Sequence, residues 1–307
     1  MSTQRREITL SDGSTLVAER RSGGGPTVIL LHAGVADRRS WAGVADALAA
    51  ADLDLVAYDR RGFGETPAAP AESTFTHLGD LVELLDALEV EGAVVVGNSM
   101  GGALALDLAA TAPGRVSGLL LIGAAVSGMT DDDTPFDWQA DPATAPLMAE
   151  LEDAESRGDV AAQIDALTRL WLDGPTAEEA RVGDPARALF ADMNRVILDS
   201  GAVGDPGDAG LDTWRTLDGI GVPVLASWGS STSPPTCRST RRPPGVSARV
   251  PDACCRGWPT CPVSSDPKSS PGSSSRSWGE RSAGLAAGVP TIGRRVSDIL
   301  MRRPQRW

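Results

Sequence analysis

Ser99 sits in Gly97-Asn98-Ser99-Met100-Gly101, a Gly-x-Ser-x-Gly run that places a hydroxyl between two glycines. Such a run arises easily by chance in a chain with 34 glycines, so its flanks decide its weight. Val94-Val95-Val96 before it reads as a buried strand, and Ala103 to Ala110 after it reads as a helix. A strand that passes straight into a helix forces a tight, strained turn at the serine. Gly97 and Gly101 are then required, because a side chain at either would meet the neighbouring strand or helix. The turn lifts the Ser99 hydroxyl out of the sheet to a helix N-terminus, where the Met100 N–H can face a developing oxyanion. The chemistry is nucleophilic attack on a carbonyl carbon. The plain alternative is a glycine-rich strand-to-helix turn with an incidental serine.

Two further runs accompany it. Leu31-His32-Ala33-Gly34 directly follows the apolar stretch Thr27–Leu31, and Tyr58-Asp59-Arg60-Arg61-Gly62-Phe63-Gly64 follows the apolar stretch Leu53–Tyr58. In this order and at this spacing the three runs resemble the α/β-hydrolase fold family over residues ~15–229. The look is that of serine esterases, enol-lactonases and cofactor-free haloperoxidase-type hydrolases. The serine excludes the haloalkane dehalogenases, whose nucleophile is an aspartate.

The resemblance implies an α/β fold: a mostly parallel sheet flanked by helices, with a helical lid. It implies an oxyanion hole from the N–H groups of Met100 and of Gly34 or Val35, with Gly34 preferred; Ala33 stands where the family has glycine. It makes His32, Asp59 and Arg61 loop supports rather than catalytic groups. The activity implied is hydrolysis of a small-molecule carboxylic ester or lactone through an acyl-enzyme on Ser99, without cofactor or metal. A second reading is a non-catalytic scaffold binding a small ligand, and a third is an inactive product.

The elements that must position these residues can be read from periodicity. Val17–Arg20, Thr27–Leu31, Leu53–Tyr58, Ala93–Val96, Val116–Ile122 and Val222–Trp228 are expected strands, and Thr76–Leu88 an expected helix. Strands alternating with helices imply a parallel sheet covered on both faces. Within 127–219 the pattern becomes helical and acidic, over Ala145–Ser156, Val160–Leu172 and Pro185–Ser200. We therefore expect a core from 1–126, a lid from 127–219, a return strand within 220–229, and an aberrant tail from 230–307. Trp138, Met148, Leu151, Trp171, Phe190 and Met193 are candidates either to line an acyl pocket or to pack the lid helices together.

Composition narrows the classes. The chain carries a formal net charge of −13, which disfavours a nucleic-acid partner. No run of ~18 apolar residues suggests a membrane span, and the polar start Met1–Glu7 lacks the apolar stretch of a secretory signal, so a cytoplasmic location is expected. Oligomeric state is not readable.

The average hides a break at Gly229. Residues 230–307 hold 13 basic and 4 acidic side chains, against 15 and 37 in residues 1–229. They also hold all four cysteines (Cys237, Cys254, Cys255, Cys261) and the one lysine, Lys268. The cysteine spacing fits no metal site, because Cys254 and Cys255 are adjacent and no histidine follows His77.

That last fact leaves the chemistry open. A serine hydrolase of this family needs an acid after the strand that ends near Trp228 and a histidine about thirty residues beyond it. The genetic code offers an explanation. Taking the third base of each codon with the first two of the next, and G or C at the free positions, Gly229–Ser233 reads G-E-L-D-V. In the same frame Gly257–Pro262 reads V-A-H-L-P, and Ser265–Trp278 reads as an amphipathic helix, L-G-P-E-V-V-A-R-L-V-L-E-V-L. The expectation is a single-base deletion near codon 229, with residues 230–307 translated out of frame and past the normal stop. The competing readings are a disordered tail or a divergent C-terminal module.

Overall fold

The computed structural model describes residues 3–70, 73–129, 141–200 and 210–227, all in one compact unit. Seven strands form one sheet: β1 (Thr3–Thr9), β2 (Thr15–Arg21), β3 (Thr27–Leu31), β4 (Asp54–Asp59), β5 (Ala93–Asn98), β6 (Val116–Ile122) and β7 (Val224–Ser227). Their order is β1-β2-β4-β3-β5-β6-β7. The β1/β2 and β2/β4 pairs are antiparallel and the remaining pairs parallel. The expected strands are all present, with ends shifted by a few residues; Trp228 lies outside the described residues, as does the expected tail 230–307.

Strand β1 was not anticipated. Its sequence TQRREIT buries only Ile8, so nothing in its hydrophobicity distinguishes it from a polar terminus; it is specified by seven backbone pairs with β2. The short helix α1 (Ala42–Ala47) and the 3₁₀ turn Arg38–Trp41 before it were likewise unread.

The central strands carry continuous apolar runs because both of their faces are covered. On one face α2 (His77–Ala87) buries Leu81, Leu84 and Leu85, and α3 (Met100–Thr111) buries Leu104, Ala105, Leu106, Leu108 and Ala109. Thr76 caps α2, its hydroxyl accepting from Gly79 N at 2.8 Å. On the other face Trp41 and Ala45 pack on Val28, Leu30, Leu55 and Val96.

The lid segments form α4 (Ala145–Ser156), α5 (Val160–Leu167), which continues into a wider turn at Thr168–Asp173, and α6 (Ala186–Asp199). The chain returns through α7 (Thr213–Thr216). The two stems of this insertion meet at Asp107 of α3, a buried carboxylate. It accepts from Ser127 Oγ at 2.7 Å and from Thr213 Oγ1, while Trp214 N donates to Ser127 O at 2.9 Å. Burial pushes the Asp107 carboxyl up, against the pull of these two hydroxyls.

Candidate active site

Strand register brings the candidate residues together. Leu31 of β3 lies opposite Gly97 of β5, so the chain leaves both strands at one level of the sheet. His32–Gly34 and Ser99–Gly101 must then emerge side by side. The approach is close: a Cβ on Gly101 would lie 2.4 Å from Leu31 O, and one on Gly97 would lie 2.3 Å from Gly101 O. Both glycines are therefore sterically obligatory. Gly102 is too, since its Cβ would meet the Ala124 Cβ at 2.4 Å. The Gly101-Gly102 doublet was the available signal for this third position.

Ser99 itself has φ 52° and ψ −118°, a conformation that costs a non-glycine residue of order 1–3 kcal/mol. The strain is held from both sides, since Ser99 N donates to Ile122 O at 3.0 Å and Ser99 O accepts from Gly102 N at 2.8 Å and Ala125 N at 3.1 Å. Ser99 is half-buried, at the N-terminus of a 12-residue helix whose dipole favours negative charge there.

The loop after β3 meets the Ser99 turn. The Met100 side chain covers Gly34, with Sδ 2.5 Å from where a Gly34 Cβ would be. Within the hydrogen-bond network of the described residues, neither Gly34 N nor Met100 N donates to a protein acceptor. Two such N–H groups beside a serine hydroxyl are what stabilising a tetrahedral oxyanion requires.

The supporting residues are placed as follows. His32 is buried and committed at both ring nitrogens: Nδ1 contacts Ala33 O at 2.8 Å and Nε2 accepts from Arg60 N at 3.1 Å. Burial, then the neighbouring Arg60 charge, holds its pKa well below the ordinary imidazole value. Asp59, fully buried, accepts from Arg38 N at 2.8 Å and Glu65 N at 2.9 Å and pairs with the Arg38 guanidinium. It thereby joins the loop after β3 to the loop after β4. Arg61 makes a two-pronged pair with Asp80 of α2 (2.8 and 2.7 Å) and reaches Asp12 in the β1–β2 turn (2.8 Å). Its anchoring is thus of α2 and that hairpin.

His77 begins α2, edge-on to Phe75. Burial and the charges of Arg60 and Arg61 lower its pKa to about 3, so it is neutral at ordinary pH. Neither histidine is arranged as a base for Ser99. Asp107, Arg38, Arg60 and Asn194 were missed as anchors, because each acts through contacts remote in sequence.

The lid residues divide. Phe190 and Met193 are buried against Ala33 and Ala36, which favours packing over pocket lining, and Asn194 Nδ2 donates to Val35 O at 3.0 Å. Helix α6 is therefore seated on the loop after β3. Trp171 is 40% exposed, and Trp138 lies outside the described residues. A lid cavity of about 190 Å³, lined by Pro146, Leu147, Arg169 and Asp173 among others, does not include Ser99.

With this geometry in hand the comparisons are informative. The family model for the α/β hydrolase fold matches residues 26–230, and the chain belongs to that family. It is 32% identical over 189 residues to the 2-hydroxymuconate semialdehyde hydrolase of a Pseudomonas species, covering 52% of this chain and 66% of that one. It is 36% identical over 113 residues to an epoxide hydrolase of Caballeronia sordidicola, covering 36% and 34%. Across three of the curated relatives the chain spans only 30–42% of their length. Among solved structures, an esterase of Exiguobacterium antarcticum superposes with TM-score 0.56 at 22% identity, over 73% of this chain and 80% of that one. The enol-lactonase of Burkholderia xenovorans superposes with TM-score 0.53 at 22% identity, over 72% and 80%. These likenesses establish the fold. No described helix is long and apolar enough to cross a membrane.

Proposed function

We propose that the chain carries the nucleophile half of a serine hydrolase acting on a small carboxylic ester or lactone. Ser99 Oγ attacks the carbonyl carbon and its proton passes to a base. The N–H groups of Met100 and Gly34 hold the resulting oxyanion, the alkoxide leaves with that proton, and water then cleaves the acyl-serine ester. The observation that carries the reading is the strained Ser99 backbone, held at the N-terminus of α3 directly beside Gly34. A relative named as a semialdehyde hydrolase supports hydrolysis of a small carbonyl compound, and structures named as an esterase and an enol-lactonase share the fold.

A second reading has its own observation. Both histidines are engaged elsewhere, so the described residues supply no base, and a scaffold or an inactive product fits that fact. We propose that the base and its orienting acid are encoded one frame away, in the G-E-L-D-V and V-A-H-L-P readings. Resequencing the coding DNA tests this directly: a one-base insertion near codon 229 must open a frame encoding both Asp and His, and a closed frame ends the idea.

A fluorophosphonate probe tests the nucleophile. We expect labelling confined to Ser99, abolished in Ser99→Ala, and about 10⁴–10⁶-fold faster once the frame is restored. Labelling that survives Ser99→Ala, or a restored chain that does not label, removes the serine assignment.

A further inference from the structure

The Gly34 N–H can serve an oxyanion only if its peptide plane faces the right way, and that plane is held at its other end. In a trans peptide the N–H points opposite to the preceding carbonyl. The direction of Gly34 N–H is therefore set by the direction of Ala33 C=O. Three donors converge on that one carbonyl oxygen: His32 Nδ1–H at 2.8 Å, Arg60 Nη2 at 3.1 Å and Ala36 N at 3.3 Å.

We propose that Arg60 is a positioning residue that, with His32, locks the Ala33–Gly34 peptide in the orientation that exposes Gly34 N–H. The proposal rests on the assignment of Gly34 as an oxyanion donor. Arg60 acts twice. Its guanidinium, buried and stacked 4.6 Å from the Phe63 ring centre, donates to Ala33 O and to His32 O at 3.3 Å. Its backbone N–H donates to His32 Nε2. An Nε2 that accepts must be unprotonated, so the ring proton sits on Nδ1 and is delivered to Ala33 O. The Phe63 ring lies 4.8 Å from the imidazole and supports both groups.

A flipped peptide would turn Ala33 O away from all three donors and aim it at the space where the oxyanion forms. Asn194 of α6 grips the neighbouring Val35 carbonyl from the lid side, so the loop cannot relieve a flip by sliding. Both carbonyls are reached by the one Nη2, and the planar guanidinium stacked on Phe63 fixes where that nitrogen points, which a flexible lysine stem does less well.

The experiment uses the full chain and two readouts. Arg60→Met keeps an unbranched apolar stem but removes the guanidinium and its donors; Arg60→Lys returns a cationic donor without the planar group. Glycine- and histidine-selective ¹⁵N NMR reports the Gly34 amide and the His32 tautomer, and fluorophosphonate reports the reactivity of Ser99. In the parent we expect His32 protonated at Nδ1 and bare at Nε2, without titration from about pH 5 to pH 8.

In Arg60→Met we expect labelling to fall at least about tenfold, towards the ~10²–10³ of a lost oxyanion donor. The Gly34 amide signal should move while unfolding stays cooperative, and Arg60→Lys should recover part of both changes. Parental labelling with an unmoved Gly34 amide overturns the proposal, as does a lysine variant no better than the methionine one. Where the parent labels too slowly to follow, as a missing base allows, the Gly34 and His32 signals decide the clamp by themselves. Should Arg60→Met not fold, an Nε2-protonated His32 in the parent is sufficient to overturn it.

Discussion

The two halves of the sheet's carboxyl edge are built to different standards. At the centre, where β3 and β5 end, backbone touches backbone: three glycines admit no Cβ, Ala33 O receives three donors, and Asp59 fastens two loops together. Four side chains in this region, Leu31, Asp59, Val95 and Leu121, are at most 1% exposed. On the other side β7 is the last described strand. Only one of its faces is engaged, with Val224 and Ala226 against the core, while Leu225 stands 66% exposed. The proposed nucleophile Ser99 and the proposed oxyanion donors Met100 and Gly34 belong to the first region. The acid and base of a serine hydrolase would follow from the second, where the composition breaks.

That contrast can be attacked from either side. Among single substitutions the largest effect on stability is expected at Asp59→Asn. It removes a buried partner from the buried Arg38, leaving only the half-exposed Glu65 and Glu19, and should cost about 3 kcal/mol by denaturant titration. A cost under about 1 kcal/mol would mean the centre is less tightly bound than its contacts imply.

Acid is the next lever. His32 and His77 both have folded pKa values depressed below the ordinary imidazole value of 6.5, His77 to about 3. The unfolded chain therefore binds protons that the folded chain refuses. The stability from each neutral histidine is complete above about pH 6.5 and falls by about 1.4 kcal/mol per pH unit below it. Denaturant midpoints measured from pH 7.5 to pH 5 should decline accordingly, and His77→Asn should reduce the slope. A flat profile would show that the imidazoles are not held neutral.

The smallest effect is expected at the edge. Leu225→Thr should change stability by less than about 0.5 kcal/mol in this chain, as for an exposed site. After frame restoration the same substitution should cost about 2 kcal/mol, if the amphipathic helix read in the other frame then covers that face. Equal costs in the two backgrounds would detach the exposed leucine from the altered tail.

What was legible in the sequence follows from range. Val94–Val96, Gly97, Ser99 and Gly101 announce the elbow because strand, turn and helix are consecutive. The lid helices declare themselves through helical spacing in Ala145–Ser156 and Pro185–Ser200. Strand β1 gave no such sign, since a polar edge strand is specified by its partner rather than its own pattern. The anchors Arg38, Arg60, Asp107 and Asn194 were hidden for a related reason. Each closes a contact 20 to 159 residues away, and an Arg in a charged run or a single Asp or Asn in a helix reads as solvent-facing until the fold brings its partner to it.

Asp107 has a consequence beyond anchoring. One carboxylate on α3 receives both Ser127 and Thr213, so the two ends of the insertion meet the core at a single doorway. The entropic cost of closing that excursion is set mainly at the doorway, and doubling its length adds only ~0.6 kcal/mol. The insertion is then tied down twice, at the doorway and where Asn194 and Phe190 of α6 meet the loop after β3, so an exchange of its contents that keeps α6 leaves that loop and the sheet beneath as they are.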